Sequence, residues 1–308
     1  MYKKFYGFKA RPFEITPDPF YVYLSEAHQE ALASLQYAIQ EGKGFSVITG
    51  EAGTGKTTLV HKLLGNLDGR VRTSYIFNPL MDRDDFLLFV CKDLGIDTSA
   101  MKSRGDSIAA LHNFLLSCFA RHEKVFLIID EAHCMEPELL QEVRLMTNLE
   151  TAKHKLLHVI LLGQPELTQI LNKTEFRPLK QRITVRYHLS PLDLDETKQY
   201  VSYRLKRAGS RNITVFTNSA VKEIYRFSGG IPRLINIICD NALLTGFSSE
   251  QKRINREIIR KTAKEMDISP PGKSKIKKII LRTALAAAIL LLVLLSAFAV
   301  QFHLAYWR

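Results

Sequence analysis

The sequence has 308 residues and a formal net charge of +12 at neutral pH, enough for one large or two modest domains with a hydrophobic core. Four cysteines without C-x-x-C spacing argue against a zinc site or a disulfide framework, so we expect a protein of the reducing cytosol. The positive charge is unevenly distributed, because six basic and no acidic residues follow Asp267. The rest of the chain carries the other +6, which is a mild charge for a nucleic-acid-binding domain.

The first predicted element is an aromatic arm over residues 11–23. Prolines at positions 12, 17 and 19 exclude a regular helix there, and four aromatic side chains need a surface to pack against. We therefore expect an ordered arm that lies over the domain that follows. Residues 1–9 carry no apolar run, so we expect no signal peptide. Ser25 is predicted to cap a helix from Glu26 to about Glu41.

The next stretch matches the phosphate-binding loop G-x-x-x-x-G-K-[ST] at every fixed position. Its glycines let backbone N–H groups surround a phosphate, and the helix that follows adds partial positive charge from its N-terminus. We expect Lys56 to contact the β- and γ-phosphates of ATP and Thr57 to ligate Mg²⁺, with the arm over this side of the core. The predicted cofactor-binding segment is Gly50, Glu51, Ala52, Gly53, Thr54, Gly55, Lys56, Thr57 and Thr58.

Strands and helices then alternate, which predicts an α/β fold with a parallel sheet covered by helices on both faces. The predicted strands are 45–49, 71–77, 125–129, 156–163 and 183–189. The predicted helices are 56–67, 84–94, 107–121 and 137–149, with a mobile loop over 97–104.

The strand at 125–129 ends in two carboxylates, Asp130 and Glu131. Such a pair is the second signature of P-loop NTPases: Asp130 would hold Mg²⁺, and Glu131 would polarise the attacking water. Together with Ala132 and His133 the pair spells a helicase box, but helicases of that kind need two tandem cores. We therefore interpret His133 as a packing or solvent-facing residue.

The pattern changes after Pro191 to helices alone, at 193–208, 218–227, 232–247 and 255–265. Residues 269–282 form a basic linker that starts with a Ser-Pro-Pro-Gly break. Residues 283–303 lack charge and are almost wholly apolar, and roughly 20 such residues span a bilayer. The predicted domains are thus 1–190 for the P-loop core with its arm, 191–268 for a helical lid, the linker, and a transmembrane helix. The basic cluster before the span predicts that the body faces the cytoplasm.

Several motifs together resemble those of a known family. The loop, the Asp-Glu strand, the all-helical region and Gly229-Gly230-Ile231-Pro232-Arg233 look like an AAA+ ATPase. The opening F-Y-G-F at 5–8, the segment L-S-E-A-H-Q-E-A-L at 24–32 and L-L-G-Q-P-E-L at 161–167 resemble the general secretion pathway protein A family. The resemblance runs from Met1 to about Met266, and the secretion ATPases of exosortase loci are close relatives.

The resemblance implies roles for residues outside the two main motifs. Gln164 resembles the sensor 1 position that reads the γ-phosphate, and Asn148 is another polar candidate near it. Arg182 resembles an arginine finger, with Arg177 as the alternative, and Arg233 resembles sensor 2. The catalytic set is then Glu131, Lys56, Gln164 and Arg182.

The family also implies hydrolysis of Mg²⁺-ATP in support of a secretion or surface-appendage system at the bacterial inner membrane. We expect self-association into a ring or smaller oligomer, a membrane partner and contact with the bilayer, and no nucleic-acid partner. Longer family members continue into a periplasmic peptidoglycan-binding region that this sequence does not include. The alternatives are a DNA-associated AAA+ ATPase of the transposition or replication-initiator type and a nucleotide switch that does not hydrolyse.

Overall fold

A parallel β-sheet forms the centre of the computed structural model, which describes residues 2–15, 19–67, 70–210 and 214–271. Its strand order is β2-β3-β4-β1-β5, and every neighbouring pair is parallel. The carboxyl ends of all strands therefore meet at one edge of the sheet, which we call the C-edge; the opposite edge is the N-edge. The strands are β1 Phe45–Thr49, β2 Val71–Ile76, β3 Lys124–Ile129, β4 Leu157–Gly163 and β5 Val185–His188.

Helices cover both faces of this sheet, as the continuous apolar strands predict. The inward side chains of β1 and β3 alternate between two clusters: Ile48 and Phe126 pack under α2 and α3, and Val47 and Leu127 pack under α4 to α7. The helices are α1 Tyr2–Tyr6, α2 Glu26–Gln40, α3 Lys56–Gly65, α4 Arg83–Asp93, α5 Arg104–Ala120, α6 Pro137–Met146, α7 Pro165–Leu171, α8 Arg177–Arg182, α9 Leu194–Arg207, α10 Asn218–Ser228, α11 Pro232–Ser248 and α12 Arg256–Glu265.

Helices α9 to α12 form a second body with its own hydrophobic core, the lid. The first part of the arm and the residues before it pack with this body, because Tyr2, Phe8 and Phe13 are buried in the lid core. Phe13 is fully buried with its ring against Phe216, and Arg204 of α9 donates hydrogen bonds to the Pro12 carbonyl at 2.6 Å and the Glu14 carbonyl at 3.0 Å. The predicted grouping of the arm with the core in 1–190 therefore differs from the packing observed.

A tight backbone contact holds the segment just before α9 against the turn between α10 and α11. The Leu192 N–H donates to the Gly230 carbonyl at 2.9 Å, and a Cβ on Gly230 would lie 1.8 Å from the Leu192 oxygen. Only glycine fits there, since Gly230 also has φ of +77°. A Cβ on the preceding Gly229 would lie 3.0 Å from Pro271, the last residue described.

The predicted linker beyond Pro271 and the predicted span at 283–303 lie outside the described residues. Within the ranges that are described, no helix has the length and apolar character needed to cross a membrane.

Candidate nucleotide-binding site

The predicted loop opens into a cavity of about 1110 Å³ between core, arm and lid. The core contributes residues 53–58 together with Asp130 and Glu131 at the C-edge. The arm contributes Ile15, Tyr21 and Tyr23, and the lid contributes Tyr200, Arg204, Arg233 and Asn236. The arm thus lies over the loop side of the core, as its aromatic composition predicts.

The loop backbone has the shape of an anion cradle. Gly53 and Gly55 have φ of +85° and +103°, a region that residues with a side chain rarely adopt. A Cβ on Gly50 would lie 2.6 Å from the Leu189 carbonyl oxygen, and a Cβ on Gly53 would lie 2.6 Å from the Arg233 Cβ. The backbone thus approaches its surroundings where side chains would not fit, and this geometry fits a phosphate group.

Lys56 lies folded into this loop and is buried. Its Nζ donates to the carbonyls of Gly50 at 2.8 Å and Glu51 at 3.1 Å. Burial lowers the pKa of Lys56, while the nearby carboxylates of Glu131 and Asp130 act in the opposite direction. The ammonium therefore stands at the centre of the cradle, where a phosphate could replace the carbonyls as its partner.

Thr57 and Asp130 bring a hydroxyl and a carboxylate together at the end of the loop. The Thr57 hydroxyl donates to Asp130 Oδ2 at 2.5 Å, and the Tyr75 hydroxyl donates to the same oxygen at 3.2 Å. The Glu131 N–H donates to Asp130 Oδ1 at 2.9 Å, so both carboxylate oxygens are oriented. Burial and the adjacent Asp130 raise the pKa of Tyr75, which therefore remains a hydrogen-bond donor. Oxygen donors of this kind fit Mg²⁺.

Glu131 lies in the left-handed region at φ of +49°, an uncommon conformation for a residue with a side chain. Its Oε2 is 3.3 Å from His133 Nδ1 and 3.3 Å from Gln164 Nε2, which is itself 3.1 Å from His133 Nε2. The Gln164 backbone N–H also donates to His133 Nδ1 at 3.4 Å, so Gln164 contacts both ring nitrogens of His133 as well as the Glu131 carboxylate.

His133 therefore contacts Glu131 directly, and only 15% of the His133 side chain is exposed. The sequence interpretation of His133 as a packing or solvent-facing residue missed this contact. Tyr75 was also missed. The signal available in the sequence was position, since Tyr75 lies near the end of a strand that neighbours β3 and His133 lies two residues after Glu131.

Gln164 lies at the C-edge of the core, and Arg233 reaches the cavity from the lid. Gln164 directly follows β4 and contacts Glu131. The Arg233 N–H donates to the Gly53 carbonyl at 3.3 Å, and its exposed side chain lines the cavity. The lid arginine is thus attached to the loop through its own backbone.

Arg182 and Asn148 lie elsewhere. Arg182 ends α8 just before β5, whose first residues pair with the start of β1 at the N-edge, and its NH1 donates to Thr147 at 2.9 Å. Asn148 directly follows Thr147, so the expectation that Asn148 lies near the γ-phosphate is wrong. Arg177, the alternative finger, begins α8 and is exposed.

These features define a class of protein. The sheet is parallel, a phosphate loop follows β1, a carboxylate pair follows β3, and a helical lid brings an arginine to the cavity. This is the architecture of a P-loop NTPase of the AAA+ class. The model of the AAA domain family matches residues 39–171. General secretion pathway protein A of Aeromonas hydrophila is 42% identical over 254 residues, which is 82% of this chain and 46% of that protein. The chain belongs to the general secretion pathway protein A family of AAA+ proteins and spans about half the length of that curated relative.

Solved structures agree on the fold. The ORC2 protein of Aeropyrum pernix, solved as ADPNP–ADP complexes, superposes with a TM-score of 0.63 at 16% identity and covers 83% of this chain and 71% of that one. The RuvB Holliday junction branch migration motor of Thermotoga maritima superposes with a TM-score of 0.55 at 18% identity and covers 86% and 79%. At these identities the likeness is one of fold alone.

Proposed function

We propose that this protein binds Mg²⁺-ATP in the cavity between core and lid and hydrolyses it. One observation carries the proposal: the phosphate cradle, the Thr57–Asp130 pair and the Glu131 carboxylate meet at the C-edge of one sheet. A cradle alone would serve binding, whereas an oriented carboxylate beside it supplies a base for hydrolysis.

The residues divide the chemistry between them. Lys56 and the loop N–H groups bind the phosphates, and Arg233 adds a second cation from the lid. Glu131 accepts a proton from the water that attacks the γ-phosphorus, while His133 and Gln164 hold its carboxylate in place. Mg²⁺, when bound by Thr57 and Asp130, supplies charge neutralisation of the phosphate oxygens.

The direct test compares ATP binding and turnover of the full chain in detergent with those of Lys56→Ala. Lys92→Ala, at an exposed position of α4, is the matched control. We expect Lys56→Ala to abolish tight ATP binding and the control to behave as wild type. Wild-type protein that binds ATP without turnover would identify a nucleotide switch instead of an ATPase.

We further propose that this ATPase supports a bacterial secretion or surface-appendage system from the cytoplasmic face of the inner membrane. Family membership supports the role, and the apolar sequence of residues 283–303 after a basic linker supports a single-pass anchor. A self-assembled ring and a membrane partner would then transmit the work of hydrolysis.

Secretion and topology assays test this cellular role. A strain that carries Lys56→Ala in place of the wild-type gene should lose export or appendage assembly, and a reporter fused after Arg308 should be active only outside the cytoplasm. A reporter signal from the cytoplasm would overturn the orientation. Intact export together with DNA-stimulated ATP turnover would favour the DNA-associated alternative.

A further inference from the structure

His28 is buried between the start of α2 and the phosphate loop. Its Nε2 lies 3.0 Å from the Thr54 carbonyl oxygen, and its Nδ1 lies 2.7 Å from the Ser25 hydroxyl. Both ring nitrogens therefore have partners, one of them in the loop. The histidine links two segments that are distant in sequence.

The partners determine the tautomer. A carbonyl oxygen can only accept, so Nε2 must carry the proton and donate to Thr54. Nδ1 is then an acceptor, and the Ser25 hydroxyl donates to it while accepting from the His28 N–H at 3.4 Å. Burial lowers the pKa of His28, which favours this neutral form.

The contact fixes the orientation of a peptide group in the cradle. The bond between Thr54 and Gly55 is trans, so the Gly55 N–H points away from the carbonyl that His28 holds. Gly55 caps α3 at φ of +103°, and a Cβ there would lie 2.9 Å from His28 Nε2. The glycine thus makes room for the histidine as well as for the turn.

We infer that His28 is a positioning residue for phosphate binding: by holding the Thr54 carbonyl on the α2 side, it presents the Gly55 N–H to the phosphates. This inference rests on the proposed nucleotide site. Without the Nε2–H donor the peptide is free to rotate, which would turn a carbonyl oxygen toward the ligand. The expected penalty is the loss of one oriented donor to a charged group, about tenfold in affinity or more.

The test measures the binding of ADP and AMP to the full chain with His28→Phe and His28→Gln. Phenylalanine keeps an aromatic ring but has no hydrogen-bond donor. The side-chain amide nitrogen of glutamine lies about as far from its backbone as Nε2 of histidine does and can donate. We expect His28→Phe to weaken ADP binding about tenfold with little change for AMP, and His28→Gln to restore ADP binding to within about threefold of wild type.

Any other outcome overturns either the positioning role or the proposed function. Wild-type ADP binding by His28→Phe, equal losses of ADP and AMP, or failure of glutamine to restore binding would each refute the positioning role. Unfolding temperatures of the variants separate these losses from misfolding. If His28→Phe misfolds, the decisive comparison is between His28→Gln and His28→Asn, because the shorter asparagine side chain does not reach the Thr54 carbonyl. Failure of the wild-type chain to bind ADP would instead refute the proposed function.

Discussion

At the scale of single residues, the site depends on how one carboxylate is held. Glu131 follows the strand in a strained left-handed conformation, and His133 and Gln164 both contact the same oxygen. In the mechanism proposed above, a base held from two sides has a defined direction toward the attacking water, and such positioning lowers the barrier. The three side chains are therefore expected to act together and their substitutions to be non-additive.

Glu131→Gln should retain ATP binding and hydrolyse ATP at least about 10²-fold more slowly, because the amide cannot accept the proton. His133→Ala should lower kcat about tenfold with an unchanged KM, since the cradle is untouched. Steady-state kinetics at saturating Mg²⁺-ATP measure both effects. Asparagine at position 133 keeps a polar amide near the position of Nδ1 and should recover part of kcat. Turnover at the wild-type rate in Glu131→Gln would remove Glu131 from the mechanism.

The sequence predicts this site in part, and the limit is physical. The loop and the Asp130–Glu131 pair are local patterns, so their chemistry follows from spacing alone. The contacts of His133 and Tyr75 depend on side-chain direction at the ends of neighbouring strands, which periodicity does not determine. The prediction for Asn148 is wrong for a related reason, because α6 runs back to the N-edge before the chain reaches Asn148.

At the scale of elements, β4 carries a histidine in the apolar interior. His158 stacks on Phe126 of β3 and is almost fully buried. Burial and the charge of Lys124 lower the pKa of His158 to about 4. The folded state thus favours the neutral ring, whereas the unfolded chain takes up a proton near the ordinary pKa.

The protein should therefore lose stability as the pH falls from 7 to 5. Over this range the unfolded state binds the proton and the folded state does not, which costs about 2 kcal/mol from this group. Urea unfolding at both pH values measures the loss. His158→Gln, which cannot titrate, should lose correspondingly less stability over the same range. An identical pH dependence in the variant would assign the effect to other groups.

The arm is a second element whose role differs from its sequence-based assignment. The aromatic composition predicts that the arm packs against another part of the protein, but the surface on which Phe13 packs lies about 200 positions later, at Phe216. Local pattern carries no information on such a partner. Helices α7 and α8 were likewise not predicted, because seven and six residues are too few for a helical period to emerge.

Phe13→Ala should destabilise the lid by about 3–5 kcal/mol, because it leaves a cavity where a ring is fully buried. Hydrogen exchange of the amides in α10 and α11 reports this loss locally. Phe20→Ala is the control within the same arm, as that ring is 52% exposed, and its cost should stay below about 1 kcal/mol. Equal effects of the two substitutions would contradict the packing of the arm in the lid core.

At the scale of the whole molecule, Arg233 and Arg182 lie in different parts of the structure. Arg233 lines the cavity of its own chain, whereas Arg182 lies at the N-edge, opposite its own phosphate loop. Arg182 therefore acts on a nucleotide only if a second copy presents its cavity to this edge.

ATP turnover per protomer should rise with protein concentration, and Arg182→Ala should lower kcat about 10³-fold. A mixture of Arg182→Ala and Lys56→Ala proteins should regain activity, because one copy supplies the loop and the other supplies the finger. Arg177→Ala in place of Arg182→Ala distinguishes the two candidates. Full activity in a concentration-independent monomer would refute a finger supplied in trans.

The arm and the last four helices build one body from both ends of the described chain, and the whole sheet domain is inserted between them. This arrangement has a consequence for synthesis. The P-loop core can complete its sheet while later residues are still being translated, but the lid residues on which Tyr2, Phe8 and Phe13 pack are made only afterwards. Nascent chains therefore expose Tyr2, Phe8 and Phe13 throughout the synthesis of the core. A segment made early is thus buried late in synthesis.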